Sequence, residues 1–375
     1  MSPALSRTTT STDWRQFVPG PVPISPHLLA IGTQQLPYNR TEAFSTTTQE
    51  ILGGLRKLFK TESEVVVLTG SGTAAMEASV LNFIGPDDRA LIANGGTFGQ
   101  RWADLCGALA INHDELQVDL GAELDLESLE ETLAGGQHSV LLINAHETST
   151  GLLYDIEAIG RIARRHDVFF IVDAISSVCA DTFEMDDWGV DVAILSSHKA
   201  LALPPGLSFI AMGKQAITRL ESGRVRPKSL YFDLEDYLKN QQRGQLPYTP
   251  AIGLMLQLQA RLRDIHEHPL TMLISQHRER AQYFRNAIQD MAFDILPARS
   301  SNAITALSCR DLDASEVAAE LRDRYHLIVA PSGGALKSKL IRVSHMGAQD
   351  QADVRRLVTA LGEISASFQP TKTYK

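Results

Sequence analysis

From Glu64 onward the chain alternates short apolar, β-branched runs with stretches of helical periodicity. Val65-Val66-Val67-Leu68 precedes a helical pattern over 73–82, and Ala90-Leu91-Ile92-Ala93 precedes another that starts at Phe98. The series continues through Val140-Leu141-Leu142-Ile143, a helical stretch over 156–166, and apolar runs at 169–172, 190–195 and 207–211. Strands separated by helices cannot pair as hairpins. The order therefore predicts βαβ units and a mostly parallel sheet of about seven strands before residue 215, an α/β fold. After Gly213 the pattern changes: a polar stretch over 228–245 leads into a long helical pattern over 250–267, with Pro250 in the first turn, where its missing N–H is tolerated. That helix is expected to join two domains. Beyond it, strands at 304–307 and 340–343 and helices at 314–324 and 349–365 predict a smaller α+β unit. The expected organisation is a flexible, polar, Ser- and Thr-rich arm over 1–17, a large domain with its linking helix over 18–268, and a small C-terminal domain over 269–375.

Composition narrows the ligands more than the fold. At 375 residues, 44% hydrophobic and 21% charged, the chain is long enough for two cores and excludes large-scale disorder. A formal charge of −9 argues against nucleic acid or an anionic membrane as partner and leaves small molecules. Cys106, Cys179 and Cys309 are widely spaced, with no CxxC or Cys/His cluster, so neither a disulfide framework nor a metal site is expected. Residues 1–17 lack the apolar core of a signal peptide, and no stretch approaches the length of a membrane span. A reducing cytoplasm is the expected compartment.

The candidate chemistry starts from Lys199, which directly follows the apolar run 190–195 and the residues Ser196-Ser197-His198. Asp173 closes another such run, Phe169-Phe170-Ile171-Val172. Parallel strands deliver their terminal side chains into the ligand crevice, so an acid and a lysine on two strand ends point to a site. Either one alone reads equally well as half of a surface salt bridge. Gly70-Ser71-Gly72-Thr73-Ala74-Ala75 follows a strand and opens a helix, so its backbone N–H groups and the positive helix end can hold a phosphate. A dinucleotide reading of the same glycines needs an acid after the next strand, where this chain has Asn94. A single phosphate is preferred. A phosphate cradle, an acid and a lysine together supply what pyridoxal 5′-phosphate requires: an anchor, a partner for the pyridine nitrogen and an amine for a Schiff base.

At this point the chain resembles the class V aminotransferases of PLP fold type I, in their alanine/serine–glyoxylate and serine–pyruvate branch. The resemblance runs from about Val18 to Ser365. It rests on Pro19-Gly20-Pro21, Asn39-Arg40-Thr41-Glu42-Ala43-Phe44, the segment Ser71–Ala78, Asn94–Arg101, Glu147-Thr148-Ser149-Thr150-Gly151, Val172-Asp173-Ala174, Ser197-His198-Lys199-Ala200-Leu201 and Pro204-Pro205-Gly206. It implies Ser71, Gly72 and Thr73 on the phosphate, Phe98 against the pyridine ring and Thr148 near its phenolic oxygen. Asp173 would meet the ring nitrogen, Lys199 would carry the cofactor, and His198 would lie beside it. Arg342, in Leu340-Ile341-Arg342-Val343-Ser344, resembles the arginine that binds the substrate carboxylate, with Gly20 and Asn39 nearby. Tyr248-Thr249-Pro250 resembles a segment that reaches a partner's phosphate across a homodimer interface; either hydroxyl fits, since the family's threonine often stands where this chain has Tyr248.

The implied activity is transfer of an amino group from a small amino acid to a 2-oxo acid. Two departures keep rivals open. His198 replaces a glutamine common in the alanine–glyoxylate enzymes, and a His-Lys pair resembles cysteine desulfurases, which also need a mobile nucleophilic cysteine. Asn39 stands where histidine is frequent, which leaves an unusual substrate open; 2-aminoethylphosphonate–pyruvate transaminases share several of the same patterns.

Overall fold

The computed structural model describes residues 14–367. Its centre is a seven-stranded sheet in the spatial order Glu64–Thr69, Leu207–Met212, Val192–Ser196, Phe169–Asp173, Val140–Asn144, Arg89–Asn94, Asn112–Gln117. Leu207–Met212 runs antiparallel to both of its neighbours, and the pairings from Val192–Ser196 to Asn112–Gln117 are all parallel. Glu64–Thr69 and Val192–Ser196 therefore point the same way. Thr69, Asn94, Asn144, Asp173 and Ser196 consequently end on one edge of the sheet. The central strands are buried along their whole length, as near-continuous Val, Ile, Leu and Phe runs require when helices cover both faces.

Asn112–Gln117 lies outside the apolar runs of the sequence pattern. Its residues, Asn-His-Asp-Glu-Leu-Gln, occupy the edge of the sheet and are buried nowhere along their length, so no hydrophobic run marks them. The linking helix begins at Ile252, just after Pro250. It packs against the Glu42–Phe59 helix, where Gly54 lets Leu262 and His266 come close.

The C-terminal part has its own four-stranded sheet, ordered Phe293–Ile295, Ile304–Cys309, Leu340–Ser344, Ala330–Pro331, with a separate hydrophobic core. Residues 14–17, expected as the end of a free arm, are instead tied to this unit. Arg15–Gln16 pairs in parallel with Leu327–Ile328, Phe17 is 1% exposed inside the C-terminal core, and its carbonyl accepts the Ser344 N–H at 2.8 Å. The reason is hydrophobic: Phe17 is an aromatic side chain in a polar segment, and the C-terminal core supplies the apolar partners. The rest of the expected arm, 1–13, lies outside the described residues. Truncation of Phe17 to alanine is expected to lower stability by about 3–5 kcal/mol, the usual penalty for an emptied aromatic site. Urea denaturation of the purified protein measures it; an unchanged midpoint would contradict the anchoring.

Candidate active site

The shared strand edge gathers the sequence-predicted residues. Lys199 sits in the turn after Val192–Ser196 and is 9% exposed. Its Nζ donates to the Pro19 carbonyl at 2.8 Å. Gly20 adopts φ +144°, and a β-carbon there would come within 3.1 Å of Lys199 Nζ and of the His198 carbonyl. Glycine is required by both the backbone angle and the approach. Burial pushes the Lys199 amine down to about 8, helped by the charges of Arg342 and Arg101 and opposed by Asp173. His198 turns its Nδ1 to the Ser196 hydroxyl at 2.9 Å, and burial followed by the Lys199 charge drives it down to about 4, so it is neutral.

Asp173 ends the adjacent strand and is 5% exposed. Its carboxylate accepts from Asn144 Nδ2 and from the Ile175 N–H, both at 2.8 Å. Burial pushes its carboxyl up to about 7, against the Ile175 hydrogen bond and the charges of Lys199 and Arg101. Among the described residues no ion pair joins Asp173 to Lys199. An acid and an amine thus share one buried edge, each held by neutral partners.

Ser71 is the N-cap of the Gly72–Phe83 helix and makes no side-chain capping bond. The first N–H groups of a helix have no intrahelical acceptor, so this end presents donors to an anion. Gly72 is buried against Ile175, and Thr73 Oγ1 accepts from Arg101 Nη1 at 3.2 Å. The Arg101 guanidinium also lies over the Phe98 ring, 4.7 Å from its centre. Phe98 is held in turn by an acid of the Glu147–Gly151 segment. Glu147, 1% exposed, accepts N–H bonds from Phe98, Gly99 and Ser149 and the Ser149 hydroxyl. Gly96 permits that contact, since a β-carbon there would collide with Glu147 and Ser149.

Arg342 lies on a C-terminal strand and reaches the same edge. Its Nη1 donates to the Thr148 carbonyl at 3.5 Å and its Nη2 to the Pro331 carbonyl at 3.2 Å, while Nε is buried without a partner among the described residues. Burial lowers its pKa, opposed by the charge of Glu147. Thr148 is buried, and its hydroxyl meets Ser176 Oγ at 2.8 Å. Asn39 is 7% exposed, and its neighbour Arg40 donates to the Leu246 and Pro247 carbonyls. Among the described residues no hydrogen bond joins Tyr248 or Thr249 to the Ser71–Thr73 turn. The Tyr248 hydroxyl donates to the Leu230 carbonyl at 2.6 Å, and Thr249 is exposed. Ala251 nevertheless donates to Thr69 Oγ1 at 3.1 Å, so the segment lies beside the strand that leads into the cradle.

Three observations test this edge against pyridoxal phosphate: a buried carboxylate with only neutral donors, a buried amine with one carbonyl partner, and a buried guanidinium nitrogen with none. They fit a ligand with a ring nitrogen, an aldehyde carbon and a carboxylate-bearing substrate. Fold and site together define a pyridoxal-phosphate-dependent enzyme of fold type I. The chain belongs to the class-V aminotransferase family, whose model matches residues 34–357, and is a PLP-dependent transaminase. It is 32% identical over 343 residues to serine–glyoxylate aminotransferase of Arabidopsis thaliana, covering 88% of this chain and 85% of that one. It is also 30% identical over 359 residues to a protein of a Synechococcus strain called the small subunit of soluble hydrogenase, covering 94% and 93%. Among solved structures, an alanine–glyoxylate aminotransferase from Nostoc sp. superposes with a TM-score of 0.91 at 27% identity, covering 97% of each chain.

The raised pKa of Asp173 has a definite pH signature in the cofactor-free protein. A carboxyl whose folded pKa lies near 7 rather than 3.8 binds its proton more tightly when folded, so its contribution to stability falls as pH rises between those values. Asp173→Asn is expected to lose less stability than wild type on going from pH 5 to pH 8, read from urea midpoints. Parallel behaviour of the two proteins would refute the assignment.

Proposed function

We propose that this chain moves an amino group from a small alanine- or serine-like amino acid to a 2-oxo acid, glyoxylate or pyruvate, by ping-pong exchange. The observation that carries this reading is the placement of Lys199 and Asp173, both buried at the ends of neighbouring strands and held by neutral groups rather than by each other. Bound pyridoxal phosphate supplies an electron sink for the charge left on the substrate when its Cα–H bond breaks. In this reading Ser71, Gly72 and Thr73 hold the phosphate, Asp173 keeps a proton on the ring nitrogen, Phe98 covers the ring and Thr148 meets the phenolic oxygen. His198, neutral, packs beside the lysine. Lys199 would hold the cofactor through its amine and would move the proton at the substrate Cα, a task that suits an amine whose burial already pushes it down to about 8 in the cofactor-free chain. Arg342 takes the substrate carboxylate in its guanidinium fork, with Gly20 leaving room beside the lysine and Asn39 at the entrance.

The names of the glyoxylate-using relatives support the substrate class. The exposed apolar residues Leu230 and Tyr231, which meet Tyr248, and Leu36, beside Gly253, support a homodimer in which Tyr248 or Thr249 reaches the partner's phosphate. A reducing cytoplasm accords with three free, buried thiols. The same thiols argue against a desulfurase: Cys309 is fixed in a strand opposite Phe293, and burial pushes it up to about 12, so it is no mobile nucleophile. Among the described residues no helix is long and apolar enough to cross a membrane.

Lys199→Ala is expected to lose at least about a thousand-fold in turnover and to lose the lysine-dependent visible absorbance of the bound cofactor. The measurement is a screen of alanine, serine and 2-aminoethylphosphonate against glyoxylate, pyruvate and 2-oxoglutarate, with half-reaction spectra. Near-wild-type transfer in the variant would sink the assignment, and ammonia or sulfide release without a pyridoxamine stage would indicate a lyase. Arg342→Lys is expected to raise KM for carboxylate donors by about 10- to 100-fold with a smaller change in kcat, because a point charge replaces a bidentate fork. Steady-state kinetics with the preferred pair reads this directly.

A further inference from the structure

Behind Thr148 lies a chain of buried polar atoms that the proposed mechanism does not use. Thr148 Oγ1 is 2.8 Å from Ser176 Oγ, which is 2.9 Å from His146 Nδ1. All three residues are at most 4% exposed. His146 Nε2 has no partner among the described residues. An orphaned N–H is rarer in proteins than an under-used acceptor, so the favoured tautomer leaves Nε2 bare and puts the proton on Nδ1. That proton goes to Ser176 Oγ. The single Ser176 proton then has two acceptors in reach, Thr148 Oγ1 at 2.8 Å and the His146 carbonyl at 3.4 Å, and geometry favours the shorter. With its oxygen already accepting from Ser176, Thr148 must donate its own proton elsewhere, and no other acceptor for it is found among the described residues. Burial drives the His146 ring down to about 3, helped by the charges of Lys199 and Arg285 and opposed by a hydrogen bond at Ser176, so the ring stays neutral and the direction of the chain does not reverse in the working pH range.

We propose that His146, Ser176 and Thr148 form a one-way hydrogen-bond relay that fixes Thr148 as a donor toward the phenolic oxygen of the bound cofactor, with His146 and Ser176 as positioning residues. The proposal rests on the pyridoxal phosphate reading of this site. A donor at that oxygen favours its anionic form and draws charge away from the neighbouring Lys199-bound nitrogen, which then loses its proton at lower pH. Removing any link should move that titration up.

The test is the pH midpoint of the visible absorbance of the reconstituted enzyme, with the dissociation constant of pyridoxal phosphate for the cofactor-free protein as a second readout. Thr148→Val and Ser176→Ala are each expected to raise the midpoint by about one pH unit, the size of one hydrogen bond to a charged group, and to weaken cofactor binding about tenfold. The double variant should shift no further than Thr148→Val alone. His146→Phe should move the midpoint the same way, and His146→Asn, which keeps a donor near the Nδ1 position, should restore most of it. If Ser176→Ala does not fold, Ser176→Cys, a weak donor of similar size, must give the same upward shift. A midpoint moved by Thr148→Val but not by the Ser176 or His146 variants overturns the relay while leaving the cofactor reading intact. A wild-type protein that shows no lysine-dependent absorbance overturns both.

Discussion

The site depends on one constraint: Asp173 and Lys199 are taken out of water at the same edge of a sheet and kept from neutralising each other. Each is fixed by backbone or amide groups, the acid by Asn144 and Ile175 and the amine by Pro19. Desolvation then acts on both and drives the acid up to about 7 and the amine down to about 8. A direct pair would have offset part of that desolvation. Asp173 ends one strand and Lys199 stands in the turn after its parallel neighbour, each bonded to its own neutral partners.

The surrounding elements serve that arrangement through single contacts. Glu147 anchors the Phe98 side of the site, since its carboxylate gathers the N–H groups at the start of the Thr97–Ala108 helix and sets where Phe98 stands. A negative charge at a helix N-terminus is favourable, and four donors offset much of its burial. On the opposite side the segment from Phe17 to Gly20 runs from the C-terminal core directly to the lysine. The C-terminal unit itself reaches the site through Arg342, at the Thr148 carbonyl, and through Ser332, whose hydroxyl donates to the Ser149 carbonyl.

Much of this was legible in the sequence because it is written in strong local signals. Val65–Leu68, Phe169–Val172 and the glycine turn at 70–72 state their structure through β-branched runs and helix-start residues. Asn112–Gln117 does not, since an edge strand with both faces partly wet needs no apolar pattern. Glu147 and Arg101 were unreadable as organisers for another reason: their partners are backbone groups and a ring brought close only by tertiary packing. Phe17 carried a signal, an aromatic in a polar stretch, but its partner strand lies some three hundred residues away. Tyr248 and Thr249 show the opposite case, a recognisable motif with no hydrogen bond to the Ser71–Thr73 turn among the described residues.

Charge selects the ligand as firmly as shape does. The chain carries −9 overall, yet Lys199, Arg101, Arg342 and an open helix N-terminus all face one edge. Against them stand Asp173 and Glu147, both pushed by burial toward their neutral forms. The local field is therefore positive at two separate places, the helix end and Arg342. A ligand without negative charge would leave the buried guanidinium unpaired, and an uncompensated buried charge is strongly unfavourable. In the proposed reading, one anion at the helix end and a carboxylate at Arg342 would satisfy both, which is the demand made by a phosphate-bearing cofactor working on an amino or 2-oxo acid.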